Sequence, residues 1–298
     1  MGLDRRDPRR GRRGVFPRHA GARVKLSYAA KTDVGMIRSG NEDNFAVDVP
    51  VNGTRGIFIV ADGMGGHAAG EVASEMAVQI VLREIKDIAR VSDDGATSTL
   101  GESLRLANRA IHDRTITEVD KQGMGTTASV LVLSDARYLI GQVGDSRVYL
   151  LRDGALKQLT KDHSYVQEQV DLGNLTAEQA RYHPYSNVIT RCVGASPEVE
   201  PDLYTGESRS GDIFLVASDG LTGMVDDRRL AQLLMSRAEP ARKVGALISE
   251  ANGRGGLDNI TCIVVHVDDA GTSRDRVTGE MAAVEPSATT EVIAVSAE

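Results

Sequence analysis

The order of strand-like and helix-like segments between residues 24 and 268 constrains the fold most strongly. Three short strand-like segments come first, two amphipathic helices follow, and the next block of strands contains an Asp153-Gly154 hairpin turn. Hairpin turns within strand blocks, with helices in pairs between the blocks, favour antiparallel sheets over a doubly wound parallel sheet. We therefore predict a single α+β domain in which helices cover antiparallel sheets.

The predicted strands and helices are short and are separated by turns rich in glycine and aspartate. The predicted strands are 24–30, 44–49, 56–61, 126–133, 136–143, 147–152, 155–159, 199–205, 212–217 and 260–267. The predicted helices are 72–85, 98–120, 164–172, 177–182, 227–236 and 238–251. A polar insert that contains turns runs from about residue 161 to residue 190.

Charge and composition set the two ends of the chain apart from its middle. The net charge of the whole chain is −7, but residues 1–25 carry nine Lys or Arg and two Asp or Glu. We predict a basic, disordered tail at 1–23, a folded domain at 24–268, and an acidic, disordered tail at 269–298. The basic tail leaves nucleic acid or an acidic membrane surface open as its partner, although the acidic remainder of the chain would repel phosphate backbones, so we expect no nucleic-acid partner.

Several classes of protein are excluded by what the sequence lacks. No segment approaches the roughly 18 consecutive apolar residues of a membrane-spanning helix, and the first 25 residues have no apolar signal-peptide region. The two cysteines, Cys192 and Cys262, are too few for a disulfide framework or a cysteine-based metal site. We therefore expect a cytoplasmic protein, and because nothing in the sequence demands an assembly, we expect a monomer.

Several acidic residues lie where a predicted strand begins or ends and a glycine is close by. Asp62-Gly63 follows the apolar run 57–61, Ser218-Asp219-Gly220 follows 214–217, Gly144-Asp145 follows 142–143, and Asp258 lies two residues before a strand. Each such pair could be an ordinary turn. Should these carboxylates converge with Glu42 and Asp43, their mutual repulsion would require cations or protons. Oxygen ligands without cysteine favour Mg²⁺ or Mn²⁺ over zinc.

Arg38 lies a few residues before the acidic pair Glu42-Asp43. A guanidinium group offers paired donors that match the oxygens of a phosphate group. The alternative is an ordinary surface arginine that pairs with Glu42 or Asp43, and position alone does not decide between the two.

These residues occur within short motifs that resemble, in order, those of one enzyme family. The motifs are Gly35–Arg38 with Asn41–Asp43, Ala61–His67, Gly70–Ser74, Gly125–Thr127, Val143–Arg147, Lys161–Ser164, His183-Pro184 with Asn187–Arg191, Ala217–Leu221, and Gly256–Thr261. Together they cover residues 24–268 and resemble the bacterial metal-dependent serine/threonine protein phosphatases of type 2C, the PPM family. The resemblance implies a four-layer α-β-β-α sandwich, two antiparallel sheets flanked by helix pairs, with a metal centre at one edge.

The resemblance also implies a role for each acidic residue. Asp62 would bridge two metal ions, with the Gly63 carbonyl as a further ligand, while Asp219 and Asp258 would complete the shell of one ion. Glu42 and Asp43 would act on the other ion, directly or through water, and Asp145 would hold a third, weaker one. Arg38 would bind the substrate phosphate, and residues 161–190 would form a flap that influences access to the site.

The implied activity is hydrolysis of phosphoserine and phosphothreonine on proteins by a metal-activated bridging hydroxide, with two Mn²⁺ or Mg²⁺ ions as cofactors. Arg38 and Asp62 are the implied catalytic residues. The implied partners are phosphorylated proteins, either a serine/threonine kinase or its substrates. Two alternatives are a catalytically weak signalling module of this fold and a partner-switching relative that acts on one phosphorylated regulator.

In one respect the chain departs from part of the family. Eukaryotic members have a histidine directly after the Asp-Gly pair, where it is thought to protonate the leaving oxygen, but this chain has Met64. A thioether cannot donate a proton. We therefore expect a metal-bound water to act as the general acid, with His67 as the second choice.

Overall fold

The computed structural model describes residues 24–270, with the exception of Asn52, Thr54 and His67. For Ala68 it describes the backbone alone. The predicted tail at 1–23 lies outside the described residues, as does the predicted tail at 269–298 beyond its first two residues. The last strand continues to Asp269, which is one residue past the predicted end of the domain at 268.

Eleven strands and seven α-helices follow one another along the described residues. The strands are β1 Lys25–Asp33, β2 Asp43–Asp48, β3 Arg55–Met64, β4 Gly125–Thr126, β5 Ala128–Ser134, β6 Arg137–Val143, β7 Arg147–Arg152, β8 Ala155–Gln158, β9 Asp202–Glu207, β10 Ile213–Ala217 and β11 Ile260–Asp269. The helices are α1 Ala68–Ile85, α2 Ala96–Thr117, α3 Tyr165–Asp171, α4 Ala177–Arg181, α5 Asp219–Thr222, α6 Asp227–Leu234 and α7 Pro240–Gly253. A 3₁₀ turn at Val119–Lys121 follows α2.

The strands form two antiparallel sheets, as the sequence predicts. One sheet has the order β1-β11-β10-β7-β8, and the other has the order β2-β3-β5-β6-β9 with β4 paired to β3. The hairpin between β7 and β8 turns at Asp153 and Gly154, whose φ angles of 51° and 79° are both positive. Two successive residues with positive φ are typical of a type I′ turn, whose twist matches that of the flanking strands.

The two faces of β3 explain why its sequence is almost continuously apolar. Ile57, Ile59 and Ala61 belong to a buried cluster with α1 and α2, whereas Phe58 and Val60 pack against residues of the opposite sheet. Successive side chains of a strand point to opposite faces, so a strand between a helix layer and a second sheet is buried on both. The apolar run therefore marks an interior layer of the sandwich.

The second sheet is covered in the same way on its outer face. Leu247 and Ile248 of α7 and Leu230 of α6 pack with Leu215 of β10 and Val264 of β11 in another buried cluster. The layers are therefore helices, sheet, sheet and helices, which confirms the predicted α+β sandwich. Of the helices in the described part of the chain, none has both the length and the apolar character needed to cross a membrane.

The structure differs from the sequence prediction at the short helix α5. The sequence Ser218-Asp219-Gly220 follows a strand and was interpreted as a possible turn, but Asp219 begins a four-residue helix. Glycine is required at position 220, because a Cβ atom there would lie 1.9 Å from the carbonyl oxygen of Asn259. Close packing against the β11 entry therefore fixes the helix, and no local pattern of this length signals it.

Candidate functional site

The ends of strands from both sheets bring five aspartates together at one edge of the sandwich. Asp43, at the start of β2, is the cross-strand partner of Asp62 in β3. Asp219 begins α5 directly after β10, and Asp258 lies two residues before β11. Asp145 lies in the connection from β6 to β7, which crosses from one sheet to the other. The convergence that the sequence left open is therefore present for these five residues, which we call the aspartate cluster.

Burial, and then electrostatic coupling within the aspartate cluster, raises the pKa of Asp43, Asp62, Asp145 and Asp219. Burial, followed by the charges of Asp219 and Asp258, raises the pKa of Asp43 to about 8, although hydrogen bonds from Thr261 and Ser218 oppose the shift. Burial and the neighbouring charges of Asp43, Asp219 and Asp145 hold the pKa of Asp62 well above its usual range. These shifts show that the cluster is a poor place for several negative charges in the absence of cations.

Burial also raises the pKa of Asp145 and of Asp219. Burial, followed by the charge of Asp219, raises the pKa of Asp145 well above its usual range. Burial also raises the pKa of Asp219, and the hydrogen bond that it receives from Asp62 works in the opposite direction. Asp62 and Asp219 are therefore a hydrogen-bonded pair of carboxyl groups whose raised pKa values oppose ionisation of both.

Three carboxylate oxygens of the cluster are buried without any hydrogen-bond partner, namely Oδ1 of Asp43, of Asp145 and of Asp219. Buried polar atoms are normally paired, so three orphaned oxygens in one cluster require an explanation. Hard divalent cations bind carboxylate oxygens of this kind and would offset their charges at the same time. The donor set of the cluster therefore fits Mg²⁺ or Mn²⁺.

The cluster is not, however, a finished metal cage. Within the described residues, no group of three or more His, Cys, Asp or Glu side chains is arranged so that it could hold a metal ion. Two of the carboxyl groups are paired within the protein, since Asp62 is hydrogen-bonded to Asp219 and the carboxylate of Asp258 accepts from Arg38.

Arg38 lies at the rim of the cluster, where its Nη2 atom donates a hydrogen bond of 2.7 Å to Oδ2 of Asp258. The pairing with Glu42 or Asp43 that the sequence suggested as an alternative is replaced by this contact with a residue 220 positions away. The Arg38 side chain remains 50% exposed and that of Asp258 36% exposed. The guanidinium group is therefore close to the cluster and accessible to a ligand from solvent.

Asn259 fixes the loop that carries Arg38, and sequence analysis assigned it no role. Its side-chain amide donates to the carbonyl oxygens of Val34 and Gly40, both at 2.9 Å. Its Oδ1 atom accepts a hydrogen bond of 2.8 Å from the backbone N–H of Glu42. One buried side chain therefore holds both ends of the Arg38 loop against the segment that contains Asp258. The only signal in the sequence was its position beside Asp258.

The hydroxyl groups of Ser218 and Thr127 form hydrogen bonds with residues of the aspartate cluster, and sequence analysis assigned neither residue a role. The Ser218 hydroxyl donates to Oδ2 of Asp43 at 2.9 Å and accepts from the N–H of Thr261 at 3.0 Å. The Thr127 hydroxyl accepts from the N–H of Asp62 at 2.9 Å. Both residues lie within the motifs quoted above, but contacts with segments distant in the sequence define what they do.

Gly63 and Glu42 lie where the β2 entry, β3 and α1 meet. A Cβ atom on Gly63 would lie 2.2 Å from the carbonyl oxygen of Gly70 in α1, so only glycine fits. The N–H of Gly63 donates to the carbonyl oxygen of Glu42 at 3.1 Å. The Glu42 carboxylate lies against Gly70, at the start of α1. Glu42 is therefore beside the aspartate cluster through its backbone, with its side chain directed toward the helix.

The insert predicted as a flap has paired ends and a short helical interior. Ser164 forms a bridge with Ile189, and the N–H of Tyr165 donates to the carbonyl oxygen of Val188 at 2.9 Å. We call these paired segments, 163–165 and 188–190, the flap stem. Between them lie α3 and α4, and Arg181 of α4 donates at 3.2 Å to the carbonyl oxygen of Thr222, the last residue of α5. The flap therefore rests beside the element that carries Asp219.

The residue that directly follows the Asp62-Gly63 pair is Met64. Met64 ends β3 directly after Gly63, and its thioether carries no proton. His67, the second choice as general acid, lies outside the described residues.

Comparisons with known proteins agree with this geometry. The family model described as protein phosphatase 2C matches residues 38–251. The serine/threonine phosphatase stp of Listeria monocytogenes is 39% identical over 246 residues, which cover 82% of this chain and 97% of that protein. The crystal structure of the Mycobacterium tuberculosis serine/threonine phosphatase PstP/Ppp matches with a TM-score of 0.75 and 39% identity, over 82% of this chain and 99% of that one.

A further solved structure carries metal ions. The catalytic domain of the serine/threonine protein phosphatase PstP in complex with two manganese ions matches with a TM-score of 0.72 and 39% identity. The match covers 83% of this chain and 99% of that chain.

Proposed function

The chain belongs to the protein phosphatase 2C family, and from this premise we propose that it removes phosphate from phosphoserine and phosphothreonine residues of proteins with the help of Mn²⁺ or Mg²⁺. The observation that carries the proposal is the aspartate cluster, with three buried oxygens that lack partners beside the accessible guanidinium of Arg38. Bound cations would supply the positive charge that offsets the carboxylates and the Lewis acidity that hydrolysis of a phosphate monoester requires.

We assign the cation ligands as the sequence motifs suggest. Asp62 would serve both ions, with the Gly63 carbonyl as a further ligand, while Asp219 and Asp258 would serve one ion and Glu42 and Asp43 the other, directly or through water. Asp145 would hold a third, weaker ion. The manganese-containing relative supports two ions, and the raised pKa values of Asp43 and Asp62 support the need for added positive charge.

Arg38 has the role of holding the substrate phosphate. Its guanidinium donates to Asp258 in the structure, so binding of a phosphate group would exchange one oxyanion partner for another. Because Met64 provides no proton, we assign the proton that the leaving serine or threonine oxygen requires to water. Asn259 keeps Arg38 close to Asp258 throughout, since it fixes both ends of the loop.

A metal titration tests the proposal most directly. Purified chain should release phosphate from p-nitrophenyl phosphate and from phosphothreonine peptides when Mn²⁺ is added, and EDTA should abolish the release. Asp62→Asn and Asp219→Asn should remove the activity, whereas Asp120→Asn, at an aspartate whose side chain is 77% exposed, should not. Hydrolysis that persists in both variants would refute the assignment, and Mn²⁺ binding without hydrolysis of any phosphopeptide would favour the catalytically weak alternative.

The role of Arg38 has its own test. Arg38→Ala should raise KM for a phosphopeptide by about tenfold or more, since a hydrogen bond to a charged group contributes about 1.5–3 kcal/mol. Calorimetry should still detect Mn²⁺ binding, because no cation ligand is removed. An unchanged kcat/KM would exclude the phosphate-binding role.

We further propose that the physiological substrates are a serine/threonine kinase or the proteins that it phosphorylates, and that the chain acts as a monomer in the cytoplasm. The names of the relatives support phosphoprotein substrates in general. Size-exclusion chromatography with light scattering tests the monomer.

A further inference from the structure

His163 is a buried histidine at the base of the flap, and its backbone connects two separate parts of the chain. Its side chain is 6% exposed. Its N–H donates to the carbonyl oxygen of Gly144 at 2.9 Å, and its carbonyl oxygen accepts from the N–H of Thr190 at 2.9 Å. The residue therefore joins the loop that carries Asp145 to the returning side of the flap stem.

The imidazole ring adds a second bond to the same loop. Its Nδ1 atom lies 3.1 Å from the backbone nitrogen of Gly144. A backbone N–H can only donate, so Nδ1 is an unprotonated acceptor and the ring proton is on Nε2. Nε2 lies 3.3 Å from Oδ2 of Asp202, the acceptor for that proton, and 3.1 Å from Nη1 of Arg191. Arg191 in turn donates to Oδ1 of Asp202 at 2.8 Å.

Gly144 has a conformation that favours glycine, and hydrogen bonds hold both its N–H and its carbonyl oxygen. Its φ of 100° lies in the left-handed region, and a Cβ atom there would lie 2.6 Å from the Thr127 side chain. Its carbonyl oxygen also accepts from Nε2 of Gln142 at 2.9 Å. The Gly144 carbonyl oxygen thus has two donors, the His163 N–H and the Gln142 amide, whereas the Gly144 N–H depends on the His163 ring.

We propose that His163 is a positioning residue that fixes Gly144, the residue before Asp145, and so the Asp145 carboxylate, and couples it to the flap stem. This inference rests on the proposed function, since it assigns what holds one of the proposed cation ligands. Asp62, Asp219 and Asp258 are held by β3, α5 and the Asn259 segment, so loss of the ring should affect Asp145 selectively.

The side chains of asparagine and glutamine separate the two ends of the ring. The Oδ1 atom of asparagine replaces Nδ1 as an acceptor for the Gly144 N–H, whereas the amide of glutamine replaces Nε2 toward Asp202. We expect His163→Asn to retain wild-type behaviour to within about threefold. We expect His163→Gln and His163→Ala to weaken the weakest-binding Mn²⁺ by about tenfold or more, as is usual when a residue that orients a metal ligand is removed.

The experiment measures Mn²⁺ binding by calorimetry, kcat and KM on p-nitrophenyl phosphate, and thermal unfolding for each variant. The variants are also combined with Asp145→Asn. Because His163 acts through Asp145, His163→Ala should add no further loss of Mn²⁺ affinity or kcat in the Asp145→Asn background. Wild-type activity decides the proposed function separately, and calorimetry reports on His163 even in a chain without activity.

Three results would overturn the inference. These are normal Mn²⁺ binding in folded His163→Ala, equal loss in His163→Asn and His163→Gln, and fully additive losses in the double variant. If His163→Ala does not fold, the comparison of His163→Asn with His163→Gln makes the same distinction.

Discussion

Replacement of one aspartate of the cluster by asparagine should stabilise the protein when cations are removed. Asp43 is 5% exposed, and its pKa is raised to about 8 by burial and by the charges of Asp219 and Asp258. The folded state therefore keeps a proton on Asp43 at pH values at which the unfolded chain, with an ordinary pKa near 4, has lost it. Stability must then fall as pH rises from about 4 to about 8.

The magnitude follows from the size of the shift. With a folded pKa of about 8, each pH unit between about 4 and about 8 costs about 1.4 kcal/mol of unfolding free energy, which amounts to about 4 kcal/mol at pH 7. Asp43→Asn removes this cost, and its amide oxygen can still accept from the Ser218 hydroxyl. In EDTA at pH 7 we expect Asp43→Asn to unfold about 10 °C above the wild type, since each kcal/mol corresponds to about 2–4 °C in a domain of this size.

Urea unfolding in EDTA at pH 5, 6, 7 and 8 measures the effect, with Asp120→Asn as the surface control. The free energy of unfolding should depend less on pH in Asp43→Asn than in wild type, by about 1.4 kcal/mol per unit. Saturating Mn²⁺ should stabilise the wild type more than Asp43→Asn, because binding to the folded state adds stability. Parallel pH profiles, or a variant less stable than wild type at pH 8 in EDTA, would show that repulsion within the cluster does not limit stability.

Three further substitutions test other parts of the structure. Gly63→Ala should destabilise by about 3 kcal/mol in urea unfolding and abolish phosphatase activity, because its Cβ would lie 2.2 Å from a backbone oxygen of α1. Burial and then the Lys243 charge lower the pKa of His266 to about 4, so the unfolded chain binds this proton first and stability is lost as pH falls from about 6.5 to about 4. His266→Gln should recover about 1–2 kcal/mol at pH 5. Arg147→Ala should cost about 3–5 kcal/mol because it leaves the buried Asp162 carboxylate unpaired, whereas the exposed Arg209→Ala should cost less than about 1 kcal/mol.

The layers of the fold were predictable because the signals that define them are local. The apolar run in β3, the apolar repeat of every four residues in α1 and the Asp153-Gly154 turn each fall within a short window of sequence. Helix α1 begins at Ala68, whereas the sequence predicts its start near Val72. The predicted start is late because the first turn of the helix contains only small or polar residues and lacks the apolar repeat. Helix α5 was missed because it exists through packing of Gly220 against the β11 entry rather than through an amphipathic pattern.

In the candidate site, too, some features are predictable from the sequence, whereas others depend on contacts between distant segments. The position of Asp62, Asp219 and Asp258 at strand ends was readable from the sequence. The partner of Arg38 was not, because Asp258 lies 220 residues away in the chain. The role of Asn259 also depends on which loops meet in space, since its amide binds backbone groups that precede it by more than 200 positions. Polar residues that bind backbone groups across the fold leave no periodic signal.

The flap stem pairs 163–165 with 188–190, so both ends of the segment 166–187 are held together by hydrogen bonds. Changes in the length or composition of residues 166–187 need not displace the aspartate cluster. Such a segment is free to diversify during evolution, much as the variable loops of a constant scaffold do. A chimera that receives a relative's segment within this intact stem should hydrolyse p-nitrophenyl phosphate at the parental rate while its choice among phosphoproteins changes.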